Sequence, residues 1–182
     1  MVRLVSLLLI AGALAAFQHA VAQSPAPTYA LVSDPGIASI TTPEDRDQVM
    51  RLMSAHLEWW ATTGPEQYPS AALLAVDVVF EYPYARDGKG VRLEGREAVT
   101  ENLRTLSRTA SRWYFHDLKL IETPYRDVFF IEYQATAFVP ATNRTYEGRH
   151  IARVTVRDGK IADYYELWDR KARAMAFAAT QR

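Results

Sequence analysis

Between Trp113 and Trp168 the apolar residues recur with a period of two, and turn signals divide this stretch into four runs. Trp113 to Glu122 ends at Thr123-Pro124-Tyr125-Arg126-Asp127, and Val128 to Val139 ends at Pro140-Ala141-Thr142-Asn143. Arg144 to Arg157 is joined to Lys160 to Trp168 by Asp158-Gly159, a pair suited to a two-residue hairpin. Strands linked this tightly pair antiparallel, because a parallel pair needs a crossover of about a dozen residues or more. Upstream the period is 3.6. Thr42 is an N-cap, Pro43 suits the first helical position, and Asp45 sits three residues after the cap. Val49, Leu52, Met53, His56, Leu57 and Trp60 then form one apolar face, and Thr63-Gly64-Pro65 stops the helix. A short helix is expected from Pro69 to Ala75 and a strand from Val76 to Tyr84. A loop follows at Asp87-Gly88-Lys89-Gly90, then a helix from Gly95 that buries Val99, Leu103 and Leu106. Helices placed ahead of an antiparallel meander predict an α+β fold.

The N-terminal end reads as a targeting segment. Met1-Val2-Arg3 is basic, Leu4 to Phe17 is almost wholly apolar, and Ala20-Val21-Ala22 offers a small-x-small cleavage site before Gln23. The apolar run is shorter than the roughly 20 residues of a membrane span. The expected organisation is a signal peptide over 1–22, a Pro-rich flexible tether over 23–42, one domain over 43–170 and a C-terminal tail over 171–182. That predicts a periplasmic or secreted protein with no membrane attachment once the signal is removed. About 160 residues then remain, enough to bury a core without staples.

Composition removes several function classes. There is no cysteine, which excludes disulfides, thiolate metal sites and cysteine nucleophiles. Acidic and basic residues balance at 21 each without like-charge runs, so no nucleic-acid partner is expected. The four histidines are scattered, with no His-x-x-x-His pair, and no metal site is expected. No Gly-rich phosphate loop or Gly-x-Ser-x-Gly elbow occurs, and no cofactor is expected. The aromatic share is 12%, with ten Tyr and four Trp; rings in that excess form a core or the walls of an apolar pocket.

Phe80-Glu81-Tyr82-Pro83-Tyr84-Ala85 followed by Leu93-Glu94-Gly95-Arg96-Glu97-Ala98-Val99 resembles the SnoaL-like proteins of the nuclear-transport-factor-2-like superfamily, nearest in look to the phenazine-biosynthesis A/B branch. The closing hairpin, Val154 to Ile161 with Tyr165-Glu166-Leu167-Trp168-Asp169, is similar to the one common to that superfamily. The resemblance runs in order from about residue 43 to 170. It implies a cone-shaped α+β barrel, in which a strongly bent antiparallel sheet wraps around the long first helix and leaves an apolar cavity. The superfamily holds cyclases, isomerases and dehydratases, and also proteins without chemistry, so function rests on the cavity residues.

Alternation puts Tyr164, Glu166 and Trp168 on one face of the last strand. By resemblance Glu166 takes the place of an acid that is catalytic in limonene-epoxide hydrolase, and a carboxyl in an apolar pocket is disfavoured as an anion. The alternative is a structural ion pair with Arg149 or Arg153. His150 shares a face with Tyr146 and Val154, and a His beside a carboxylate resembles the His/acid pair of the polyketide cyclases. His56, on the first helix, is the third candidate catalytic residue. Tyr82, Tyr133, Tyr164, Trp60, Trp168 and Met53 are the candidate ligand-binding residues. The sequence departs from ketosteroid isomerase, with Tyr82 at the place of its base and Leu52 at that of its helical tyrosine. Ile131-Glu132-Tyr133-Gln134-Ala135 also lacks the Arg-x-Asp pair of limonene-epoxide hydrolase.

Two functions remain open. One is a cofactor-free acid/base lyase, isomerase or cyclase acting on a small apolar or aromatic molecule. The other is a non-catalytic ligand-binding or dimer-scaffold module. A homodimer is expected because Phe130 and Phe138 lie on the outward face of the long strand if Phe129, Ile131 and Tyr133 face the cavity.

Overall fold

The computed structural model describes residues 29–32, 41–62, 67–86 and 89–178; the segment read as a signal peptide, most of that read as a tether and the last four residues of that read as a tail lie outside them, as do the Thr63-Gly64-Pro65 stop and Asp87-Gly88. The first helix, α1 (Pro43–Thr62), begins where Thr42 and Asp45 cap each other reciprocally. The Asp45 amide donates to Thr42 Oγ1 and the Thr42 amide to the Asp45 carboxylate, both at 3.1 Å. Val49, Leu52, Met53 and Leu57 bury one side of it. The short α2 (Ser70–Leu73) runs directly into β2 (Leu74–Arg86), which turns back as β3 (Lys89–Glu94) before α3 (Arg96–Ser107). The meander is β4 (Ser111–Glu122), β5 (Val128–Val139), β6 (Arg144–Arg157) and β7 (Lys160–Trp168), and α4 (Arg170–Phe177) closes the described chain.

The strands form one seven-stranded sheet in the order β1-β4-β5-β6-β7-β2-β3. Its first member, β1 (Tyr29–Val32), lies within the stretch read as a tether and pairs in parallel with β4. Residues Lys89 and Gly90, read as loop, belong to β3, because the hairpin register Val79↔Glu94 to Arg86↔Lys89 gives that short charged segment a partner. The two end strands, β1 and β3, are hydrogen-bonded on one side only. The expected barrel is therefore an open, curved sheet wrapped around α1.

Curvature is written into β4. Arg112 and Asp117 have φ of 54°, and register shifts against β5 occur at both places. Each bulge inserts a residue and bends the strand. The bulge at Asp117 also reverses the alternation, so that Trp113 upstream and Leu118 and Leu120 downstream are all buried. By contrast, β5 and β6 pair without a break from Val128↔Thr155 to Val139↔Arg144. The β6–β7 turn places Asp158 and Gly159 at φ 52° and 70°, the left-handed pair that a type I′ hairpin needs. The main core gathers Met53, Phe80, Leu103, Ile131 and Tyr164 beneath α1 and α3. A second cluster joins Trp113, Ala135, Tyr146 and Ala176 beside α4. Among the described residues no helix is long and apolar enough to cross a membrane.

Candidate functional site

Three adjacent strands deliver the polar groups. On β7 the alternation places Tyr164 and Glu166 inward, and on β6 it places Tyr146 and His150 on the same side. Tyr133 of β5 stands opposite His150, and His150 stands opposite Trp168, two residues beyond Glu166. That diagonal brings His150 Nδ1 within 2.7 Å of Glu166 Oε1. Tyr133 also donates its hydroxyl to Oε1, and its oxygen lies 3.1 Å from the Tyr164 hydroxyl. On the other side of the imidazole, Nε2 lies 2.9 Å from the Tyr146 hydroxyl.

With Glu166 ionised, the carboxylate can only accept, and this orders the protons. Tyr164 donates to Tyr133 and Tyr133 to Glu166. A neutral His150 carries its proton on Nδ1 and accepts from Tyr146 at Nε2. Every donor in this five-residue chain points toward Oε1. Oε2 has no hydrogen-bond partner among the described residues. The Glu166 and His150 side chains are only 12% and 11% exposed, so the pair sits in a medium where its contacts are strong.

Burial, with the nearby Glu166 charge second, raises the Tyr133 and Tyr164 hydroxyls well above the ordinary tyrosine range, and the same holds for Tyr82. These phenols remain donors at any physiological pH. His56 is 2% exposed and its Nδ1 lies 2.8 Å from the Tyr68 hydroxyl. Burial pushes its pKa down from 6.5 to about 4, against an opposing pull from Glu166, so it is uncharged at neutral pH.

The pair opens onto a cavity of about 160 Å³ between the sheet, α1 and α3. Tyr82, Tyr133, Tyr164 and Trp168 line it together with Glu166, His150 and His56. Met53 does not. It is wholly buried in the main core, and the residues of α1 that reach the cavity are His56 and Leu57, one turn further on. Trp60 lies on α1, but its side chain is outside the described residues. The arginine pairing proposed as an alternative for Glu166 is absent. Arg153 bonds Asp163 at 3.0 Å and Arg149 is exposed, because odd-numbered residues of β6 face outward.

Other cavity residues escaped the sequence reading. Trp113 and Phe115 line it from β4, Asn102 from α3, and Arg173 from α4, the helix read as a tail. Gly148 carries a recognisable signal: it lies between Tyr146 and His150 on one face of β6, where the tyrosine ring must cross it to reach the imidazole. A Cβ at Gly148 would stand 2.1 Å from the Tyr146 hydroxyl.

Comparison with known proteins agrees with this architecture. A 26% identical, uncharacterised protein of Bacillus subtilis aligns over 93 residues, 51% of this chain and 63% of that protein, so the chain spans less than two thirds of that relative's length. A solved structure of a candidate isomerase from Bacillus subtilis superposes with a TM-score of 0.67 at 19% identity, covering 75% of this chain and 96% of the other. A phenazine biosynthesis-related protein from Pseudomonas aeruginosa gives 0.60 at 14% identity over 76% and 92%. A nuclear-transport-factor-2-like protein from Anabaena variabilis gives 0.60 at 17% identity over 72% and 96%, and this chain shares its fold. The model of the SnoaL-like domain matches residues 53–164, more than half of the chain. That stretch runs from the middle of α1 to Tyr164 on the cavity floor, and the chain belongs to the SnoaL-like domain family.

Proposed function

We propose that this protein is a cofactor-free acid/base catalyst, a lyase, isomerase or cyclase acting on a small apolar or aromatic molecule, with Glu166 as the base. The observation that carries this reading is the asymmetry of the carboxylate. Oε1 is held by Tyr133 and His150, while Oε2 has no partner among the described residues of a cavity-lining side chain. Oε2 takes a proton from carbon next to a carbonyl. Tyr133 and His150 keep Oε1 fixed, and the resulting acid returns the proton at another atom of the substrate. A positioned base of this kind contributes about 10²–10⁴-fold. His150 orients the carboxylate. His56, uncharged and bonded to Tyr68, contributes shape rather than charge.

A non-catalytic ligand carrier is the second reading. The N-terminal segment read as an export signal favours it, because cyclases that act beside partner enzymes work in the cytoplasm. Proton NMR in D₂O separates the two. A catalyst exchanges the α-hydrogens of a bound carbon acid such as 2-indanone for deuterium; binding without exchange supports the carrier. In the same reading the mature protein begins at Gln23 and is exported, which N-terminal sequencing of protein from its host checks. It also pairs as a homodimer through the outer face of β5, where Phe130 is 37% exposed. Phe138 adds less to that face than the sequence suggests, since the Arg112 guanidinium covers its ring at 5.5 Å.

A further inference from the structure

Arg173 is the cavity-lining cation that the proposed chemistry does not use. It projects from α4, and Asp169 caps that helix by accepting from the Ala172 amide at 2.9 Å. The guanidinium lies 4.6 Å from the ring centre of Phe177 and 5.5 Å from that of Trp168, so aromatic rings take up its flat faces. Its N–H edges remain. Among the described residues no carboxylate pairs with it; every other ion pair that an arginine makes lies elsewhere, such as Arg46 with Glu122 and Arg153 with Asp163. The carboxylate whose charge acts on it is Glu166, whose Oε1 is already taken by Tyr133 and His150. Burial lowers the Arg173 pKa, with Tyr146 and Glu166 opposing the shift. A half-buried cation without a paired anion is unfavourable unless something answers it.

We infer that the ligand of this cavity is a small flat ring bearing a carboxylate, with Arg173 as the residue that selects the anion. Size points to one ring, since a cavity of about 160 Å³ is close to the roughly 150 Å³ space known to hold benzene. Chemistry points to a carboxylate, because a guanidinium edge presents parallel N–H groups that match its two oxygens. The inference rests on the reading that this cavity binds a small molecule, and the probes below separate the two claims.

Calorimetric titration at low salt compares benzoate, benzamide and benzyl alcohol, which share a ring and differ in charge. Wild-type protein is expected to bind benzoate at least about tenfold more tightly than benzamide, the margin of one charge-assisted pair. Arg173→Gln is expected to abolish that preference, and Arg173→Lys to restore part of it. Equal affinities of the wild type for benzoate and benzamide overturn the anion assignment while leaving the cavity a binding site. This comparison holds even if a variant fails to fold. A benzoate preference that survives Arg173→Gln also overturns it. Binding of none of the three probes overturns the anion assignment together with the small-molecule reading.

Discussion

Gly148→Ala is the sharpest perturbation of the site's support. A Cβ at this position would lie 2.1 Å from the Tyr146 hydroxyl, 2.4 Å from Cζ and 2.9 Å from Cε2. The obstacle is the rigid end of a ring that is itself 1% exposed, enclosed with Ala135, Ala137 and Ala176. The ring cannot retreat into that cluster without displacing it. Overpacking of this kind costs about 1–3 kcal/mol. Loss of the Tyr146–His150 hydrogen bond adds about 0.5–1.5 kcal/mol. The expected destabilisation is about 2–4 kcal/mol, read as a lower urea midpoint with an unchanged slope. In a Tyr146→Leu background the shorter side chain does not cross residue 148, and most of the penalty should vanish. The double-mutant cycle should therefore return a coupling close to the whole single-mutant effect. A Gly148→Ala cost below about 0.5 kcal/mol would refute the steric argument. So would an equal cost in both backgrounds.

Two further outcomes follow from the same geometry. His56 has its folded pKa held at about 4 against 6.5 unfolded, so the unfolded chain gains a proton that the folded chain refuses. Stability is intact above pH 6.5 and falls as pH drops toward 4; the wild type should lose about 3 kcal/mol more across that window than His56→Gln, measured by urea unfolding. If Phe130 anchors a pair of β5 faces, light scattering at micromolar concentration should give a dimer mass and Phe130→Glu a monomer; a monomeric wild type removes the dimer from the account.

Elements whose signal is local were legible in the sequence. The N-terminal cap of α1 and the Asp158-Gly159 turn are chemistry between near neighbours, and the bounds of β5, β6 and β7 follow from turn residues at their ends. Alternation along β6 and β7 sufficed to put His150 and Glu166 on the inner face. Their contact required the strand register, which depends on both partners and is carried by neither alone. β3 escaped notice because its pairing with β2 outweighs the glycines that bracket it. β1 did so because four residues on a sheet edge have little pattern of their own. Arg173 was illegible for a different reason: a short helix at the end of the chain shows no sequence sign of the cavity it closes. Met53 was misplaced because it shares an apolar helix face with His56, and such a face does not reveal which of its turns meets a void.

Glu166→Gln tests the central claim most directly. Glutamine keeps an acceptor for Tyr133 and His150 but cannot take a proton. Two charge-assisted bonds become neutral ones, a loss of about 1 kcal/mol each, offset by removal of a half-desolvated charge. Stability should therefore stay within about 1 kcal/mol of the wild type. The measurement is the rate of α-hydrogen exchange of bound 2-indanone in D₂O, followed by proton NMR for both proteins. The account predicts a loss of at least about 10²-fold in the variant with folding intact. Exchange at the wild-type rate in Glu166→Gln would contradict it.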